Sequence, residues 1–209
     1  MENLSGYEYQ LFISYKRNTA AEIWLDSFFY PELKKWLMEE LPPGFNLKIF
    51  YDKQEIPVGS HWPKRLQHAL KSSCILMPIF TSPYFSSSYC KAELESMLRR
   101  QTILGLDEDD FLNRLVYPIV FADGEHFPKD ISRMQKRSMK EYASNASAFR
   151  ESKKYILFED EVKSIAADIG KILKTIPPFD SKWEVAEFLQ EDLEHPAINM
   201  LPPSLNKGK

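Results

Sequence analysis

The sequence predicts an α/β fold, a doubly wound parallel sheet of five strands flanked by helices. Two observations carry that prediction. Short apolar, β-branched or aromatic runs alternate with longer stretches of helical spacing from Tyr9 to Leu173, the pattern of strand–helix units laid side by side. One run, Cys74 to Phe80, is apolar throughout, as expected of a strand buried on both faces of a parallel sheet. The expected strand order is 2-1-3-4-5, with any ligand at the carboxyl ends of the strands near the switch point.

Taken in order, Tyr9 to Tyr15 is strand one. Thr19 to Leu41 has helical spacing (Ile23, Trp24, Phe28, Leu33, Leu37, Leu41), with Pro31 expected to break or kink it and Pro42-Pro43-Gly44 to stop it. Leu47 to Tyr51 is strand two, and 52–61 is a loop. Trp62 to Lys71 is a helix with Pro63 in its first turn, and Cys74 to Phe80 is strand three. Ser87 or Ser88 caps a helix running to about Gln101. An acidic connector, Leu104 to Asn113, leads to strand four, Leu115 to Phe121. Ile131 to Glu141 reads as a short helix, Asn145 to Arg150 as loop, Tyr155 to Phe158 as strand five and Val162 to Leu173 as a helix. The domain is placed at 1–176. An extension, 177–209, follows Pro177-Pro178, with one helix expected from Trp183 to Leu193 and a loose tail.

Bulk properties narrow the function. A chain of 209 residues buries a core without staples. A net charge of −3 with no polybasic run argues against a nucleic-acid partner. Cys74 and Cys90 begin no Cys-x-x-Cys pair, so neither a zinc site nor a disulfide framework is expected. The start after Met1 is polar and no run is long enough to span a membrane, so the expectation is a soluble, cytoplasmic chain with no membrane partner. Gly-x-Gly-x-x-Gly, Walker, His-Glu-x-x-His and Gly-x-Ser-x-Gly motifs are absent.

Tyr89, Cys90 and Glu93 stand out because a spacing of three and four puts them on one helix face. Alone, Glu93 reads first as a solvated first-turn residue favoured by the helix dipole, and Tyr89 and Cys90 as core. Lys16 and Arg17 follow strand one, as a basic loop or as cations over a cleft. Trp62 reads mostly as core, and the loop before it mostly as functional. Glu95 points to the opposite side from Glu93.

Three segments in order carry a resemblance: Phe12-Ile13-Ser14-Tyr15-Lys16-Arg17; Asp52 through Ile56-Pro57-Val58-Gly59 to Trp62; and Ser88-Tyr89-Cys90-Lys91-Ala92-Glu93. They resemble the three boxes of the TIR (Toll/interleukin-1 receptor-like) domain over roughly Tyr7 to Leu173, with Tyr89 where Trp is commoner. The resemblance implies a flavodoxin-like topology and a NAD-cleaving glutamate at Glu93. It implies NAD contacts from Phe12, Ser14, Tyr15, Lys16, Arg17, Asp52, Trp62, Tyr89 and Cys90. The loop residues Ile56, Pro57, Val58 and Gly59 would serve as lid and self-association surface. NAD would be the substrate, with no cofactor and no metal. Nicotinamide would be expelled, leaving ADP-ribose or a cyclic isomer. The compact build is similar to prokaryotic standalone TIR proteins of anti-phage defence, which implies a separate sensor or effector partner. The alternative is a TIR–TIR scaffold without catalysis.

Overall fold

The computed structural model describes residues 4–51, 62–106, 113–122, 127–129, 131 and 134–185. β1 (Tyr9–Ser14), β2 (Ile49–Phe50), β3 (Ser73–Phe80), β4 (Ile119–Val120) and β5 (Arg137–Ser138) form one parallel sheet in the order β2-β1-β3-β4-β5. This is the expected topology. Every residue of β1 and β3 is buried, because helices cover both faces of a doubly wound sheet.

β4 is shorter than its apolar run. Leu76 turns both backbone groups toward this strand, donating to Leu115 and accepting from Tyr117 at 2.8 Å each. Pro78, two residues on, faces the same way and has no N–H to offer. The ladder therefore lapses after the Leu76–Val116 bridge and resumes at Ile79–Ile119.

The first helical stretch comprises α1 (Ala20–Trp24), a π-helical turn (Leu25–Phe29) and α2 (Tyr30–Glu40). Pro31 lies in the first turn of α2. The preceding turn widens to accommodate the proline ring and its missing donor, so the chain stays helical where a break was expected. α3 (Trp62–Lys71), a single turn α4 (Ser82–Phe85) and α5 (Ser88–Ile103) flank β3.

Two expectations for the C-terminal half are corrected. Tyr155 to Phe158 is the opening of a 23-residue helix, α6 (Lys153–Thr175), not a strand. Tyr155, Phe158, Val162, Ile165, Ile169 and Ile172 are buried along one face while Ile156 and Leu157 point outward. Ile131 is helical, but the expected helix does not run on to Glu141: that stretch contains the fifth strand, β5, followed by a 3-10 turn at Lys140–Tyr142. A further 3-10 turn, Ser147–Glu151, occupies the expected loop.

Beyond α6 the chain returns to the amino end of β1. Tyr7 donates its hydroxyl proton to the Pro177 carbonyl at 2.9 Å, and its ring meets Phe179 and Trp183 at 5.3 and 5.8 Å. Gly6, at φ +91°, lies so close that a Cβ there would approach Phe179 to 2.9 Å. The helix expected to begin at Trp183 does not begin there: residues 183–185 are not helical, and the rest of that expected helix lies outside the described residues.

Candidate functional site

β1 and β3 end side by side, with Ser14 in register with Pro78. The chain leaving β3 makes the α4 turn, capped by Thr81 accepting from the Tyr84 N–H. α5 then starts with Ser87 accepting from the Cys90 N–H. These two caps fix how Tyr84, Tyr89, Cys90 and Glu93 come back over the carboxyl end of β1.

The result is a buried polar cluster. Glu93 is 5% exposed, Ser14 1% and Tyr84 0%. The Ser14 hydroxyl donates to Glu93 Oε2 at 2.5 Å. Ser14 Oγ also lies 2.9 Å from the Tyr84 hydroxyl, which donates to the Cys90 carbonyl at 3.0 Å. Burial first, then the charges of Cys90 and Glu93, holds the Tyr84 phenol well above the usual tyrosine range, so it keeps its proton. Glu93 occupies the second turn of α5 and is buried, which sets aside the reading of it as a solvated first-turn residue. Glu95 is exposed on the other side.

The structure divides the remaining candidates. Phe12 is buried in the core, stacked on Phe50 at 4.8 Å, where its ring supports β1. Tyr15 packs on Tyr51 at 5.2 Å, and Tyr51 donates to Asp26 at 2.5 Å. Lys16 is half-buried and Arg17 exposed in the turn above β1, where Asn18 takes a φ of +59° and the Lys16 carbonyl accepts from Thr19. Tyr89 and Cys90 are buried on the face of α5 that carries Glu93. Trp62 opens α3, but its side chain, with Asp52, Ile56, Pro57, Val58 and Gly59, lies outside the described residues.

Sequence reasoning passed over Tyr84. Its only signal was an aromatic between Pro83 and the capping serines, which reads as core until the fold turns its hydroxyl toward Ser14. A hollow of about 220 Å³ between Tyr9, Tyr30, Lys34 and Lys48 lies along the β2 edge. Since Tyr9 opens the strand that Ser14 ends, it is about 16 Å from the cluster and contributes nothing to it.

A family model for the TIR domain matches residues 11–151. The chain belongs to the TIR domain family. Solved TIR domains include that of the Toll-related receptor TRR-2 from Hydra magnipapillata, 14% identical with a TM-score of 0.47, covering 73% of this chain and 98% of that one. They also include the TIR domains of the activated Roq1 resistosome, which recognises the pathogen effector XopQ. Those are 18% identical with a TM-score of 0.41, covering 80% of this chain and 96% of that one. Among the described residues, no helix of this TIR protein is long and apolar enough to cross a membrane.

Proposed function

We propose that this TIR protein cleaves NAD, with Glu93 opposing the positive charge that develops on the ribose. The C1′–N bond breaks, its electron pair passes to the pyridinium nitrogen, and neutral nicotinamide leaves without needing a proton. What remains is an oxocarbenium-like ribosyl centre. One fixed carboxylate in a water-poor setting stabilises that charge far better than solvent does. Water then gives ADP-ribose, or an internal nucleophile gives a cyclic isomer. NAD is substrate in this reading, and no cofactor or metal takes part.

The observation that supports the reading most is the burial of Glu93 beneath a donated Ser14 hydroxyl at the carboxyl end of β1. A buried carboxylate with a dedicated donor at a sheet switch point is a poor choice for a solvated helix face and a good one for cation stabilisation. The proposal extends to a cytoplasmic, prokaryotic role in anti-phage immune signalling. Self-association through the 52–61 loop and a separate sensor or effector are part of it, and the loop would form the lid over NAD.

The test is to incubate the purified chain with NAD at low and high protein concentration and resolve products by HPLC with mass detection. Nicotinamide with ADP-ribose, or with a species one water lighter, is expected, and Glu93→Gln should abolish both. Wild-type turnover retained by Glu93→Gln would remove Glu93 from the chemistry. No release from the wild type at any concentration would favour the TIR–TIR scaffold.

A further inference from the structure

The Ser14–Tyr84–Glu93 cluster contains more contacts than hydroxyl protons. Ser14 to Glu93, Ser14 to Tyr84 and Tyr84 to the Cys90 carbonyl are all within hydrogen-bond distance. A serine and a tyrosine supply one O–H proton each. With Glu93 ionised, the Ser14 proton goes to the carboxylate, and the single Tyr84 proton is divided between Ser14 Oγ and the Cys90 carbonyl. With Glu93 protonated, every contact has a proton: Glu93 donates to Ser14, Ser14 to Tyr84, and Tyr84 to Cys90. Across these three contacts among the described residues, the carboxylate state is one proton short and the acid state has a proton for each.

We propose that Ser14 and Tyr84 are positioning residues whose hydroxyls reverse direction when Glu93 takes up a proton, so that the site favours ribosyl acceptors that surrender a proton over aprotic bases. This rests on the NAD-cleaving reading. The order of events follows from atom balance. C1′–N cleavage needs Glu93 as carboxylate. When water or another hydroxyl attacks C1′, a C1′–O bond forms and the O–H proton passes to Glu93. The nearly two-fold carboxyl torsion presents that proton to Ser14, the chain of hydroxyls reverses, and the proton later returns to solvent. A pyridine base attacking C1′ forms a C1′–N bond and releases no proton, so it gains nothing from the reversal.

Tyr84 is suited to this role because it is fully buried and remains a neutral phenol beside a carboxylate. Ser14 is suited because its hydroxyl is committed to these two neighbours at the last residue of β1. The Cys90 carbonyl has a second lone pair for the Tyr84 proton while it serves the first turn of α5.

Removing the Tyr84 hydroxyl takes one contact from the carboxylate state and two from the acid state. Removing the Ser14 hydroxyl also takes one more from the acid than from the carboxylate. The experiment measures, in one reaction containing NAD and 3-acetylpyridine, the ratio of hydrolysis to base exchange for wild type, Tyr84→Phe and Ser14→Ala. Because the ratio is internal to each sample, it does not depend on the fraction of folded protein. The expected result is a ratio lowered about tenfold in Tyr84→Phe, the worth of one buried hydrogen bond, with the KM for NAD unchanged, and lowered less, though by more than about twofold, in Ser14→Ala, which also removes the stronger bond to the carboxylate. Ratios within twofold of wild type in both variants, with NAD still cleaved, would overturn the reversal and leave the NAD-cleaving reading standing. No nicotinamide from the wild type under crowding would remove both together.

Discussion

α5 carries a buried charge at each end, and the two are held in opposite ways. Near its start, Glu93 meets the Ser14 hydroxyl. Near its finish, the Arg100 guanidinium donates to the backbone carbonyls of Ser73, Leu70 and Lys71 at 3.0 to 3.4 Å and stacks on the Trp183 ring at 4.3 Å. Carbonyls have no proton to give and cannot turn. Arg100 therefore acts as a fixed plug over the carboxyl end of α3, where helix carbonyls lack partners and a cation is favoured. Hydroxyls rotate and can donate or accept. Glu93 is thus held by a group that can rotate, and Arg100 by groups that cannot. Arg100 ties α5 to α3 and β3, whereas Glu93 is the charge on which the proposed NAD cleavage depends.

Substitutions at the two ends should therefore fail differently. The largest expected effect is Glu93→Gln, which keeps shape and the Ser14 contact but removes the charge. Nicotinamide release should fall by about a hundred- to a thousandfold while the thermal midpoint moves little. Next is Arg100→Met. It strips the donors from three buried carbonyls and should cost about 3 kcal/mol in denaturant unfolding, with turnover per folded molecule preserved. A large activity loss at full stability in this variant would mean the two ends are coupled. Trp183→Ala removes the cover over Arg100 and Tyr7. It should cost about 2 kcal/mol, less than truncating a residue at the centre of the core, and show that the returning segment stabilises the domain.

A smaller and more general effect concerns alkali. Burial is the main cause of raised phenol pKa values at Tyr7, Tyr51, Tyr84 and Tyr117. Each has a folded pKa above its unfolded value near 10, so above that pH the unfolded chain has released protons that the native state still holds. Stability is complete below pH 10 and declines as pH rises beyond it. Tyrosinate absorbance near 295 nm should rise together with loss of the near-ultraviolet dichroism. Ionisation of these tyrosines in a molecule that remains folded would contradict it.

The parallel sheet was readable because its long inner strands, β1 and β3, are largely apolar and wholly buried. β5 was not, since Arg137-Ser138 has no apolar signal and is held by backbone bonds from Arg137 to Pro118 and from Met139 to Val120. α6 was misread at its start because Ile156 and Leu157 are exposed, and these two outward apolar residues hide the helical period of Tyr155 and Phe158. In the cluster, the spacing of Tyr89, Cys90 and Glu93 placed them on one helix face, which the structure bears out, while their candidacy as a site came from the family resemblance. Tyr84 was not, because a tyrosine between a proline and a cap gives no hint of which hydroxyl it will meet.

Sequence alone determined the layer architecture, the strand order and the helix face bearing Glu93, since these depend on local periodicity and on the rules for connecting parallel strands. Only tertiary structure decided that Ser14, 79 positions from Glu93, supplies its hydrogen bond. It likewise decided that Tyr84 completes the cluster and that Arg100 is sealed by a segment beyond α6. Those partners are distant in the chain, and the side chains that meet at the end of a strand are set by packing, which no local pattern encodes.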